Sequence, residues 1–165
     1  MYKRQHQLLA DSYQYLGQPD KALEIYQNIL NKSKSKLDAI QIAKIMYSAG
    51  IKARKNEEYH QALSVFKSVL EIRYLPKDDI YFESSKFNCG YCNYQIAVKL
   101  ATDGKSKDEY ESYLKETVKY IEEVTYTSKN KVLLKDSYEI LINAYDALGQ
   151  TEKMKEASEK KKKIK

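Results

Sequence analysis

"YLGQPDKALEIYQNIL", Tyr15 to Leu30, decides the fold of this chain. Leu16-Gly17-Gln18-Pro19-Asp20 is a turn. Glycine directly after a helical run is the usual stop, because it takes a left-handed backbone without a Cβ clash. Pro19 suits the first turn of a following helix, where its missing N–H would be unbonded anyway. Ala22, Leu23, Tyr26, Ile29 and Leu30 then recur at the spacing of one helical face. Upstream, Leu8, Leu9, Tyr13 and Leu16 show the same spacing. The stretch is the hinge of a helix–turn–helix, and the remaining sequence decides whether it is a lone hairpin of a bundle or one of a series.

The same pattern continues along the chain. Ser35 is placed to cap a third helix carrying Leu37, Ile40, Ile42, Ile45, Met46 and Ala49, with Asp38 three residues on. Lys55-Asn56-Glu57 breaks that helix. A fourth holds Tyr59, Ala62, Leu63, Phe66, Val69, Leu70 and Ile72, and Pro76 follows it. A long fifth helix is predicted from about residue 78 to 101. Asp103-Gly104 turns the chain, and Ser106 with Glu109 has the form of a capping box for a sixth helix. Ser128 is placed to cap a seventh helix, which Leu148-Gly149-Gln150 stops, and Thr151 begins a charged eighth. Eight helices joined by short links, with no strand pattern, predict an all-α array of antiparallel hairpins.

A shift of forty residues lays the chain on itself. Leu9-Ala10 falls on Ala49-Gly50 and again on Cys89-Gly90; Ala22-Leu23 falls on Ala62-Leu63; Tyr26 falls on Phe66, and Ile29-Leu30 on Val69-Leu70. Near the end, "YEILINAYDALGQTEKM" (138–154) lies on "HQLLADSYQYLGQPDKA" (6–22). The third unit is degenerate. There "KETVKYIEEVT" (115–125) lies on "DKALEIYQNIL", with Thr117 in the alanine slot, and about fifteen extra residues lengthen its two helices by roughly two turns each. Small residues let the helices of a hairpin approach to about 8–10 Å. A single hairpin cannot bury its apolar face alone, so such units stack.

This pattern of small and large slots resembles the tetratricopeptide repeat family, over nearly the whole chain. The resemblance implies a right-handed superhelical solenoid of about four repeats and eight helices, as one domain over 1–165. The repeats are expected at about 2–34, 36–75, 78–126 and 129–163, with the last helix a charged cap. It also implies protein or peptide binding on a concave groove formed by one face of each first helix. Carried over by position, that face is Arg4, Gln7, Asp11 and Gln14, then Lys44, Tyr47, Ile51 and Arg54. The third unit gives Ser84, Phe87, Tyr91 and Tyr94; the fourth gives Asp136, Glu139, Asn143 and Asp146. The expected partner site is Lys44, Tyr47, Ile51, Arg54, Phe87, Tyr91, Tyr94, Glu139 and Asn143, running from basic through aromatic to acidic. Tyrosine and arginine are usual hot-spot residues. The alternative, that the aromatics of the lengthened helices fold onto one another as core, stays open at this level. One subfamily grips the C-terminal carboxylate of heat-shock chaperones with a Lys/Asn clamp. This chain departs from it, with Gln7 and Asp11 in the first Lys and Asn positions and Ser48 in the second Asn position.

Composition limits other functions. The chain has 165 residues, 32% of them charged, and only five Gly and two Pro. Its net charge of +6 is local: residues 153–165 hold seven Lys and two Glu, a net +5, which leaves the body near neutral. Such a block is a solvated end before it is a nucleic-acid footprint. No run of eighteen apolar residues is present, so no membrane span is expected, and no signal peptide is visible. Cys89-Gly90-Tyr91-Cys92 falls inside the fifth helix, away from the helix start that lowers a thiol pKa, and lacks further zinc ligands nearby. The two cysteines are expected to pack in the core, in a reducing compartment. His6 occupies a packing slot. No phosphate loop, Ser-His-Asp set or paired catalytic carboxylates are recognisable. The expectation is a non-enzymatic interaction module with no cofactor, no metal and a cytoplasmic location. A periplasmic location fits if the chain is excised from a membrane-anchored protein. The alternative function is a sensor or regulatory segment of a larger bacterial signalling or transcription-regulating protein.

Overall fold

The computed structural model describes residues 2–164. Among them are eight α-helices and no strand: α1 Tyr2–Tyr15, α2 Pro19–Ser33, α3 Lys36–Lys55, α4 Tyr59–Leu70, α5 Ile80–Thr102, α6 Lys107–Thr127, α7 Lys131–Ala147 and α8 Thr151–Lys162. The architecture is the all-α helical repeat that the sequence predicts. Lys165, the last lysine of the basic tail, lies outside the described residues. The chain divides into two compact units at residues 85 and 86, inside α5.

The first unit holds α1 to α4 and the start of α5. Its core joins Ala10 of α1, Ala22, Leu23, Tyr26, Ile29 and Leu30 of α2, Ala39, Ile42, Ala43 and Met46 of α3, and Val65 and Val69 of α4. Ser35 caps α3 as expected, its hydroxyl oxygen accepting the Asp38 N–H at 3.2 Å. The segment after α4 folds back over α2. The Gln27 side chain donates to the Glu71 carbonyl at 2.7 Å and accepts from the Arg73 N–H at 3.3 Å, while Ile72 and Leu75 enter the core. The sequence places Ile72 on the periodic face of the fourth helix; α4 instead ends at Leu70, and Ile72 reaches the core from the segment beyond it.

The second unit holds the rest of α5 with α6, α7 and α8. The helices of the third hairpin are long, at 23 and 21 residues against 14 and 15 in the first, which is the predicted two turns or so. The α6 capping box is formed, with the Ser106 N–H donating to the Glu109 carboxylate at 3.0 Å. That bond holds Glu109 below the usual carboxylate range. The α7 cap differs from expectation: Asn130, not Ser128, receives the Val132 and Leu133 N–H groups, at 3.0 and 3.2 Å. Ser128 instead accepts the Asn130 N–H, so it sets up the capping residue. α8 carries few apolar residues, but Ala157 is buried and Met154 packs on the core of this unit.

The small slots hold the hairpins together. A Cβ on Gly50 would stand 2.7 Å from the Phe66 ring, and one on Gly90 would stand 2.5 Å from Ile121. Phe66 and Ile121 both occupy the slot of Tyr26, so the degenerate third unit keeps the register. Thr117, in the alanine slot, is fully buried and donates to the Gly90 carbonyl at 3.2 Å across the hairpin. The fourth unit keeps register too. Lys21 lies over the Tyr13 ring at 5.4 Å, and its counterpart Lys153 lies over Tyr145 at 5.6 Å.

Each hairpin is turned by the same backbone device. Gly17, Glu57, Gly104 and Gly149 all have a left-handed φ, of 70, 61, 74 and 72°. In each case the following N–H reaches five residues back, from Gln18 to Tyr13, Glu58 to Ala53, Lys105 to Leu100 and Gln150 to Tyr145, at 2.8–3.0 Å. This pair of features is a Schellman motif, which satisfies carbonyls left over at a helix end. Glu57 is the outlier, because a side chain in this conformation costs about 1–2 kcal/mol. Glu57→Gly is therefore expected to stabilise the chain by about 1 kcal/mol, after allowing for the freer unfolded state. Gly149→Ala is expected to cost a similar amount. Urea melts of both variants check this; an unchanged or lowered midpoint for Glu57→Gly contradicts it.

Candidate functional site

In the first unit, Lys44, Tyr47, Ile51 and Arg54 all lie on α3. Lys44 is exposed, and Tyr47, Ile51 and Arg54 are half-buried. Tyr47 is held by two rings, its centroid 5.6 Å from both Phe66 and Tyr81. It thus presents one edge of a ring already fixed by packing. The Ser48 hydroxyl donates to the Lys44 carbonyl at 2.8 Å and is occupied by its own helix.

Beside this face lies a cleft of about 630 Å³, lined by Asp11, Gln14 and Tyr15 of α1, Ile45 and Lys52 of α3, and Gln61 of α4, among others. Asp11 accepts the Tyr26 hydroxyl at 2.6 Å. Burial and that bond push the Tyr26 hydroxyl far above the usual phenol range, so it remains a donor. Asp11 is therefore a fixed acceptor, and the carboxylate-binding Asn expected of a chaperone clamp is replaced by an anion. The Gln14 amide is the unusual group. Its nitrogen and its oxygen are both buried, and neither has a hydrogen-bond partner among the described residues. An unsatisfied buried polar group costs about 1–3 kcal/mol, so this position carries a cost that packing does not explain. Sequence reasoning placed Gln14 on the first-helix face but not among the chosen site residues.

The second unit corrects part of the expected site. Phe87 is buried in the core with Ile121, Val124, Ile140 and Leu141, so it offers no contact surface. Tyr91 stacks on it, with centroids 6.5 Å apart and planes 27° from parallel. Tyr91 and Tyr94 are half-buried and pack against the same core. Burial raises the pKa of Tyr94, and the neighbouring Asn143 side chain opposes that rise. Asn143 and Glu139 are exposed on α7. The Glu139 carboxylate is held by Lys161 of α8, which offsets the acidic end expected of the groove. Cys89 and Cys92 are fully buried inside α5, in packing positions. Among the described residues, no cluster of three or more His, Cys, Asp or Glu is placed to hold a metal. No helix there is long and apolar enough to cross a membrane.

Because Tyr91 and Tyr94 rest on the core, they contribute to stability. Tyr91→Ala and Tyr94→Ala are each expected to lower unfolding stability by about 2 kcal/mol, less than the 3–5 of a fully buried aromatic. Chemical denaturation measures this, and a loss below about 0.5 kcal/mol for both would return them to the surface.

A family model for the tetratricopeptide repeat matches residues 5–40, which span the α1–α2 hairpin and the start of α3. No curated protein matches the chain. Repeats of this family generally mediate protein–protein interaction and are typically not enzymes. The matched hairpin carries the slots that the later hairpins repeat, and the match identifies residues 5–40 as a tetratricopeptide repeat, which supports assigning the chain to that family.

Proposed function

We propose that this chain is a peptide-binding module whose first unit takes an extended segment of a protein partner along α1 and α3. The observation that carries this reading is the Gln14 amide, buried and unbonded at the wall of a 630 Å³ cleft. An amide offers one donor group and one acceptor, the same pair that a peptide bond presents in reverse. Both atoms are sealed from solvent as they stand, so a partner backbone would satisfy them after the Gln14 side chain changes rotamer and swings its amide into the cleft. Tyr47 supplies a pre-fixed ring, which adds contact area at small entropy cost. Lys44, Lys52 and Arg54 favour an acidic segment there, by charge. Ile51 adds an apolar contact. In the second unit, Tyr91, Tyr94, Asn143 and Glu139 form the corresponding face, with Tyr91 and Tyr94 offering only their outer edges.

The reading predicts opposite effects at one residue. Gln14→Leu removes two unsatisfied polar atoms and keeps the volume, so it should raise the melting temperature. It should also weaken peptide binding by at least tenfold, or about 1.4 kcal/mol. Peptides selected from a random display library on the wild-type chain provide the probe, with fluorescence anisotropy as the readout. Arg54→Glu should weaken acidic peptides further and leave neutral ones unchanged. Selected peptides that bind Gln14→Leu as well as the wild type would overturn the proposal, as would a library that yields no binder.

A further inference from the structure

A tyrosine hydroxyl rests on a carboxylate in each unit, and the two carboxylates are treated differently. In the second unit Glu122 of α6 accepts the Tyr145 hydroxyl, and the chain also supplies a cation, the Lys153 ammonium, 4.0 Å from the same oxygen. In the first unit Asp11 accepts the Tyr26 hydroxyl at 2.6 Å, and among the described side chains no lysine or arginine forms an ion pair with it. Lys21, the counterpart of Lys153, lies over Tyr13 instead. Asp11 is half-buried and lines the cleft of about 630 Å³. That cleft lies between the first two hairpins, with walls from α1, α3 and α4. Repeat units contact only their neighbours, and the hairpins on both sides of this cleft are already in place, so it is not a gap that a further hairpin fills.

The charges around Asp11 favour a cation. Asp11 and Glu58 bring two carboxylates to the cleft against one ammonium, Lys52, and that ammonium lies over the exposed ring of Tyr15, 6.0 Å from its centroid. The lining also includes Leu16 and Gly17, just past the end of α1, and Asn56, just past the end of α3. Two helix C-termini, each with a partial negative charge, therefore border the same space. A carboxylate drawn partly out of water without a cation carries a desolvation cost, which an ammonium or guanidinium offsets. Asp11 has given one oxygen to Tyr26 and keeps lone pairs for a further donor. Building on the peptide-binding reading above, we propose that the partner segment carries a basic residue whose side chain enters this cleft and pairs with Asp11, while its acidic residues face Lys44 and Arg54 outside the cleft. An acidic side chain placed in the cleft would meet Asp11 and Glu58 and be repelled, so the site sets the order of charges along the segment.

The test uses the display-selected peptides whose binding depends on Gln14. They are remade with each arginine replaced in turn by citrulline and each lysine by acetyl-lysine, which remove the charge and nearly keep the shape. On the wild-type chain one such replacement should weaken binding at least tenfold by fluorescence anisotropy. Asp11→Asn, which keeps an oxygen for the Tyr26 hydroxyl, should weaken the parent peptide by a similar factor and leave the neutralised peptide unchanged, so that the two losses do not add. The peptide replacements leave the protein unaltered, so their outcome stands even if Asp11→Asn lowers the melting temperature. Gln14-dependent peptides that carry no basic residue, or that bind equally well after every replacement, would overturn the inference and leave the peptide-binding reading standing. A replacement whose effect persists in full in Asp11→Asn would also overturn it, because the cation would then sit elsewhere. Peptides that bind without regard to Gln14, or a library without a binder, would overturn both.

Discussion

Everything in this chain depends on how closely the two helices of a hairpin can approach. Where Gly50 faces Phe66 and Gly90 faces Ile121, there is no room for even one added carbon at the observed geometry. Ala10 keeps the same slot small in the first hairpin, and Ala22 and Ala62 keep the second-helix slot small in the first two; all three are fully buried. This closeness brings a large side chain from the second helix across the first, and that side chain then forms part of the surface on which the next hairpin rests. Tyr26 shows the result: it is fully buried in the first hairpin, and its hydroxyl is fixed on Asp11 at the wall of the cleft. The packing constraint therefore also sets the chemistry of the candidate site.

Function falls to the residues that this packing does not use. The first-helix faces carry the side chains that the core leaves over, and the Gln14 amide is the group whose burial the fold alone does not explain.

Much of this could be read from the sequence, for a local reason. Slots of small and large residues recur at fixed offsets, and a cap such as Ser35 or Ser106 lies within three residues of the group it satisfies. Features set by distant contacts could not be read in the same way. Glu57 takes the left-handed turn without the glycine that announces it in the other hairpins, because the hairpin geometry imposes that φ on whatever residue stands there. Ser128 and Asn130 are both good caps by type, and only the start of α7 separates them. Phe87, Tyr91 and Tyr94 fall within about 60° of arc on one helix, so periodicity could not tell core from groove. The lengthened α5 and α6 carry Phe87 inward and leave the two tyrosines half-covered. The Gln14 amide needed three dimensions as well, since its lack of a partner is a property of everything around it.

The most direct test of the close-approach claim is the sign of one stability change. Alanine is a better helix former than glycine by about 1 kcal/mol, so Gly50→Ala in an unconstrained helix would stabilise the protein. Here the added carbon meets the buried Phe66 ring, which Tyr47 backs at 5.6 Å, and overpacking of this kind costs about 1–3 kcal/mol. Urea unfolding of Gly50→Ala should therefore show a net loss of stability. The same change made in a Phe66→Leu background should show little loss or a gain, because the smaller side chain leaves room. A Gly50→Ala variant that is more stable than the wild type in both backgrounds would contradict the account.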